Sequence, residues 1–450
     1  MSGPGADQPG AAPAGSPSPE SRLDALDAVR AAAMLLGVVL HACAPYMGVP
    51  MAGLVMPVQE PAGTRVPDGV FWLLHAFRVP AFFVVAGFVA RELIERRGPA
   101  EFLRNRWRRV GLVLLVAYPI VTLAMYPTWL WGWVARGWAG WGHLFALRYG
   151  PDLQRAVWGL NQLWFLEYLM VYCLALWAWA RWKNHHGAHA DSRGIDPVIR
   201  AGNRAGAGSH VDPDDDVPHP PAPRRRCFNS IPLRGPGWPS VLNSTLMVVP
   251  FACVALWPGW YLDFRNAYLP YPPALVYYGA FFVLGLRLPR AGVEVLARLA
   301  PLLLLAGAAL ATPYLGAILG QVRETAHGPR QGVPELLRDR ALLALTGTGL
   351  ALAWSLGFIG LSARFVRRLG TVGRFLTDAS YWVYLTHLVW VGLGVMVLHR
   401  FVPPQGAELP VRPEARAGLV AILAIAATLA TFALVRHTRV GRWLGARTRA

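Results

Sequence analysis

Apolar residues in this chain fall into ten runs separated by short polar connections. The runs cover about 28–48, 69–92, 109–134, 160–181, 241–261, 270–288, 297–319, 339–361, 377–398 and 416–437. Each is long enough to cross a hydrocarbon core of roughly 30 Å. A backbone in that core has no water to bond to and must satisfy its own N–H and C=O groups, so the runs are expected to be helices. The predicted fold is all-α, a polytopic membrane protein with about ten transmembrane helices.

The polar positions predict how the helices are threaded. Arg91, Arg96, Arg97, Arg104, Arg106, Arg108 and Arg109 lie between the second and third runs, and Arg287, Arg290 and Arg298 between the sixth and seventh. Arg364, Arg367, Arg368 and Arg374 lie between the eighth and ninth, and the C-terminal tail carries Arg436, Arg439, Arg442, Arg447 and Arg449. The alternate connections are poorer: 49–68 has only Arg65, and 399–415 has Arg400 and Arg412. By the positive-inside rule both termini of this multi-pass chain are expected in the cytoplasm. Five regions follow: a disordered tail at 1–22, helices one to four at 23–181, a disordered cytoplasmic loop at 182–239, helices five to ten at 240–440, and a basic tail at 441–450. The loop prediction rests on residues too polar to span and too biased to pack, with His185, His186, His189, Asp214-Asp215-Asp216 and Arg224-Arg225-Arg226 among many prolines. Its histidines read as part of a solvated spacer, and no metal site is expected. No internal repeat of the kind that builds many transporters is visible.

Composition agrees with the pattern. Of 450 residues 54% are hydrophobic and 15% charged, below the roughly 25% of soluble domains. The net charge of +18 invites a nucleic-acid reading, but the basic residues sit where membrane topology puts them, so no nucleic-acid partner is expected. Cys43, Cys173, Cys227 and Cys253 have neither metal-site nor disulfide-framework spacing and read as small buried side chains.

Charged and titratable side chains inside a bilayer are costly, so they mark candidate sites. Arg30 and His41 are eleven positions apart on the first helix, which puts them on one stripe about 16 Å apart along the axis. No other polar side chain lies between them. Asp27, one turn before Arg30, is placed to pair with it or to cap the helix. His75 and Arg78 share a face of the second helix, where an arginine needs an anion, a carbonyl or water; Glu167 is one candidate partner. Ser380, Tyr384 and His387 share a face of the ninth helix, where helix–helix hydrogen bonding is the competing reading. Arg106 and Arg109 belong to a basic cluster suited to an anionic head group held by guanidinium forks. A shallow arginine cluster below a deep histidine suggests a long donor that keeps its phosphates at the surface while its reactive end reaches the histidine.

These residues resemble the acyltransferase 3 superfamily of bacterial integral membrane acyltransferases. Arg30 to His41 has the family's Arg-x10-His spacing, and Asp27-Ala28-Val29-Arg30 is similar to its Asp-Gly-Leu-Arg lead-in. Phe77-Arg78-Val79-Pro80-Ala81-Phe82-Phe83 looks like its Phe-Arg-Met-Pro-x-Phe-Phe segment, with Ala86 where many members have serine. Arg106-Trp107-Arg108-Arg109 fits its Arg-x-x-Arg motif, and Leu163-Trp164-Phe165-Leu166 and Ser380-Tyr381-Trp382-Val383-Tyr384-Leu385-Thr386-His387 fit two later signatures. Within the superfamily the residues look most like the glucan-biosynthesis protein C branch, over roughly 23–440 apart from the long loop.

The resemblance implies transfer of an acyl group, acetyl or succinyl, from acyl-coenzyme A to a hydroxyl of a glycan or lipid-linked sugar, by a direct or a covalent route. Acyl-coenzyme A is then a co-substrate, and no tightly bound cofactor is expected. His41 would serve as general base, with His75 as the other candidate, Arg78 would stabilise developing negative charge, and Arg30, Arg106 and Arg109 would hold the donor. Two other classes compete: a proton-coupled transporter of a small anionic or sugar substrate, and a scaffold without chemistry.

Overall fold

The computed structural model describes residues 19–60, 63–146, 148–150, 153–154, 157–191, 241–327, 332–401 and 411–443. Ten long helices lie among them: α1 Pro19–Cys43, α2 Arg65–Arg106, α3 Leu112–Ala135, α4 Trp164–Asp191, α5 Val241–Leu256, α6 Pro272–Arg287, α7 Arg290–His327, α8 Val333–Phe365, α9 Thr371–Phe401 and α10 Pro413–Val435. Among the described residues β structure is limited to two isolated bridges, Met47 with Thr64 and Ala52 with Asp263. The chain is therefore an all-α, polytopic membrane bundle.

Six stretches are long and apolar enough to cross a membrane by length and composition. One of them, Arg65–Ala135, runs for 71 residues and contains both α2 and α3. At 1.5 Å per residue such a rod would be about 107 Å long, so it has to fold back. Gly98 (φ 77°, ψ 169°), followed by Pro99, breaks it in a conformation that favours glycine, and a π-helical turn at Trp107–Gly111 leads into α3. The expected loop between the second and third runs is thus itself helical, because a basic connection at a membrane surface can keep its backbone bonds.

Other boundaries shift as well. The first helix is Pro19–Cys43 and not 28–48, so residues 19–22 belong to α1 and not to the tail. Residues 182–191 continue α4, which shortens the expected loop; 192–240 and 1–18 lie outside the described residues. Beyond Cys43 the chain folds inward as a strap in which Tyr46, Met47, Met51 and Met56 are buried.

Long-range bonds sort the connections into two ends. At one end, Arg290 grips Glu92 at 2.7 and 2.9 Å, Arg91 donates to the carbonyls of Leu286 and Leu288, and the Leu369 N–H donates to Asp24. These bonds join the connections expected on the cytoplasmic side. At the opposite end Arg416 meets Glu60 at 2.7 Å, and Ala52 bridges to Asp263.

Tight crossings set the core. A Cβ on Gly87 would strike the Phe282 carbonyl, and one on Gly285 would strike that of Val84, so α2 and α6 meet backbone to backbone. Such small-residue seams replace hydrophobic burial as the means of helix association in lipid. Gly87 therefore serves this seam. α1 packs against α2, α8, α9 and α10, while α7 and α8 form a hairpin on the flank. Cys43, Cys173 and Cys253 are free and buried, as small apolar side chains; Cys227 lies outside the described residues.

Candidate active site

α1, α2, α4 and α9 surround a narrow cavity of about 40 Å³ that is partly open to solvent. Its wall includes Ala33, Met34 and His41 of α1, Arg78 and Phe82 of α2, and Tyr384 and His387 of α9, with Gln162 at the entry to α4. Ala33 and His41 are eight residues apart, so the cavity extends about 12 Å along α1. Ala33 is one turn from Arg30, which places the near end of the cavity toward the basic end of the bundle.

The far end gathers the polar groups. The rings of His41 and His387 are 5.1 Å apart between centroids. His387 Nδ1 lies 2.8 Å from the Tyr384 carbonyl and 3.1 Å from that of Val383. Carbonyls only accept, so Nδ1 carries the proton and, in the neutral ring, Nε2 carries the lone pair. That Nε2 is buried without a hydrogen-bond partner, as is Nδ1 of His41. Arg78 lies across from them. A Cβ at Gly37 would overlap its Nη1, so the guanidinium rests in the gap that Gly37 leaves, one turn below His41.

Not every expected residue joins this group. The ring of His75 stands among Phe71, Trp72 and Tyr261, with centroids 6.0, 5.4 and 5.3 Å away, and does not line the cavity. It shares a helical face with Arg78, but that face is broad enough to serve two surroundings. Glu167 is half-buried in the first turn of α4, and among the described residues no ion pair joins it to Arg78 or His75. Ser380 turns back to donate to the Thr377 carbonyl at 2.7 Å, away from the cavity. Tyr384 lines the cavity, but its hydroxyl is engaged with the Gln162 carbonyl at 2.6 Å, which ties α9 to α4. The helix–helix reading thus holds for Tyr384.

At the near end, Arg30 pairs with Asp27 at 2.9 Å; Asp27 sits inside α1 and is not its cap. Arg106 is half-buried, stacks over Phe102 at 5.9 Å, and experiences the like charges of Arg109 and Arg30. Arg109 is exposed, and its carbonyl accepts from Tyr381 at 2.8 Å. Three arginines therefore converge where the cavity faces the basic end. Two residues of the far end escape a reading by charge: Gln162 and Gly37. Gln162 could have been suspected from its place directly before the Leu163-Trp164-Phe165-Leu166 signature, and Gly37 from lying one turn from His41.

The acyltransferase domain family known as acyltransferase 3 matches residues 23–436. The chain belongs to that family. Among curated relatives, the "Glucans biosynthesis protein C" sequences of Escherichia coli strain SMS-3-5, strain K12 and O1:K1 are each 28% identical over 179 residues. These relatives carry the name of the branch that the motifs resemble. The aligned region is 38% of this chain and spans less than half, 42%, of each relative. No solved structure matches the chain.

Proposed function

We propose that this member of the acyltransferase 3 family transfers an acyl group, acetyl or succinyl, from acyl-coenzyme A to a hydroxyl of an envelope glycan or lipid-linked sugar. The observation that carries the reading is a cavity walled by His41, Arg78 and His387 whose Ala33 end lies one turn of α1 from Arg30, on the side where Arg30 and Arg109 approach Arg106. The phosphates of coenzyme A are held by the arginines, and the pantetheine arm extends along α1 toward His41. His41 takes the proton of the acceptor hydroxyl as its oxygen attacks the thioester carbonyl. Negative charge forming on the carbonyl oxygen is met by Arg78, prepositioned by Gly37. The C–S bond breaks, and the departing thiolate takes up the proton held by the imidazole. His387 has a tautomer set by its own backbone and offers a second lone pair to the acceptor.

The donor site is tested by equilibrium binding of acetyl- and succinyl-coenzyme A to purified protein in lipid. Arg106→Ala is expected to weaken binding by about tenfold, the low end of a lost charge-assisted contact after solvent screening. Arg109, being exposed, should matter less, and Arg96, already paired with Glu92 at 3.2 Å, least. Equal small effects at all three positions would mean that the cluster serves topology alone. Transfer itself is checked by mass spectrometry of envelope glycans made with and without the protein, where the signature is a lost acyl mass.

For topology, we infer ten spans with both termini in the cytoplasm. In α1 the 18 residues Leu26–Cys43 carry only two charges, Asp27 and Arg30, and the 16 residues of α5 and of α6 cover about 24 Å each, within reach of a locally thinned bilayer. Reporter fusions after Arg109, within 190–230 and at the C-terminus should all report cytoplasm. An external signal from 190–230 overturns the arrangement.

A further inference from the structure

The turn that carries Gln162 is built with unusual backbone. Gly159 has φ 148° and Asn161 φ 49°, a left-handed conformation that few residues other than glycine adopt. Asn266, from the connection between α5 and α6, holds the turn by a reciprocal pair of bonds. Its Oδ1 accepts from the Asn161 N–H at 2.8 Å, and its Nδ2 donates to Asn161 Oδ1 at 2.9 Å. The Leu160 N–H donates to the Ala267 carbonyl, and any Cβ at Gly159 would collide with Asn266. From this elbow the Gln162 side chain enters the cavity wall, only 5% exposed. Its Nε2 donates to the Leu385 carbonyl at 3.2 Å, which fixes which end of the amide faces inward. Oε1 is buried and has no partner.

Strain at a turn is found where geometry matters to function, and a buried unpartnered acceptor is costly unless an occupant supplies a donor. An amide oxygen can only accept, so the occupant must present an O–H or N–H. The reacting end of a thioester offers neither: its carbonyl and its sulfur accept. The acceptor substrate does offer O–H groups. Besides the free lone pair of His387, the cavity wall thus carries two acceptors, the base His41 and Gln162 Oε1.

Building on the functional reading above, we propose that Gln162 determines acceptor specificity by accepting a hydrogen bond from the hydroxyl adjacent to the one that is acylated. Sugars, with vicinal hydroxyls, satisfy both acceptors at once; a lone alcohol leaves Oε1 unpaired. The Asn161–Asn266 clamp keeps Oε1 in register with His41.

The probes are a glucose oligosaccharide and analogues of it deoxygenated at one position each, acylated by the full chain in lipid from acetyl- or succinyl-coenzyme A. For the wild type, removal of the hydroxyl next to the acylated one should lower kcat/KM by about 100-fold, the upper scale for one buried polar group left without its partner. Gln162→Met keeps the length and removes the acceptor atom. It should show a similar loss on the parent sugar, and little further loss on the deoxy analogue, while equilibrium binding of acyl-coenzyme A is retained. A wild type that transfers to the sugar but is indifferent to every deoxygenation overturns the assignment alone, even if Gln162→Met does not fold. A drop in acyl-coenzyme A affinity in Gln162→Met places Oε1 against the donor and overturns it too. A wild type inert toward every sugar overturns the functional reading, and the assignment with it.

Discussion

Replacing His41 with glutamine is expected to lower acyl transfer by about 10²–10⁴-fold, the contribution of a positioned general base. Glutamine keeps a polar group of similar reach but cannot take up a proton at neutral pH. Donor affinity should be retained, because the arginines proposed to hold the phosphates lie more than about two helical turns away along α1. The measurement is transfer by purified protein in lipid, with acyl-coenzyme A binding followed on the same samples. His387→Gln is the companion variant. His387 shares the cavity wall with His41, at 5.1 Å between rings, so its loss should also reduce turnover; His75→Gln, on a ring outside the wall, should act through folding. Turnover in His41→Gln close to that of wild type would place the base elsewhere, with His387 ahead of His75.

A second large effect is expected at Arg78. Arg78→Gln should reduce turnover by about 10²–10³-fold, the scale for losing one preorganised donor to a developing oxyanion. Removing a buried arginine can also disturb packing, and Gly37 offers a cleaner probe. Gly37→Ala adds one methyl where Nη1 of Arg78 now rests. The guanidinium is the far end of a flexible side chain and can move aside, so the fold should survive with the charge intact but displaced. Displacement by about 1 Å is enough to cost on the order of 100-fold in rate. A Gly37→Ala protein with normal turnover and a normal melting temperature would show that the position of Arg78 is immaterial to the chemistry.

Much of the site was legible in the residues. The Arg30–His41 spacing, the Phe77-Arg78-Val79-Pro80 segment and the late Ser380–His387 signature each named a cavity residue or its close neighbour. A shared helical face is not by itself a shared environment. His75 and Arg78 are one turn apart, yet one faces an aromatic cluster and the other the cavity. Ser380 and Tyr384 are likewise one turn apart, and Ser380 satisfies itself on its own helix.

The sequence by itself determined that this chain is a helical membrane protein and which polar side chains lie within its apolar runs. Both follow from local physics: the length of apolar segments against the bilayer, and the cost of charge within it. Only the tertiary structure decided which of those polar groups meet. His41 shares its cavity wall with Arg78, Gln162 and His387, from three other segments of the chain, and no periodicity within α1 can specify them. They are brought together by close packing of helices remote in sequence, by the gap at Gly37, and by the elbow that Asn266 holds in place.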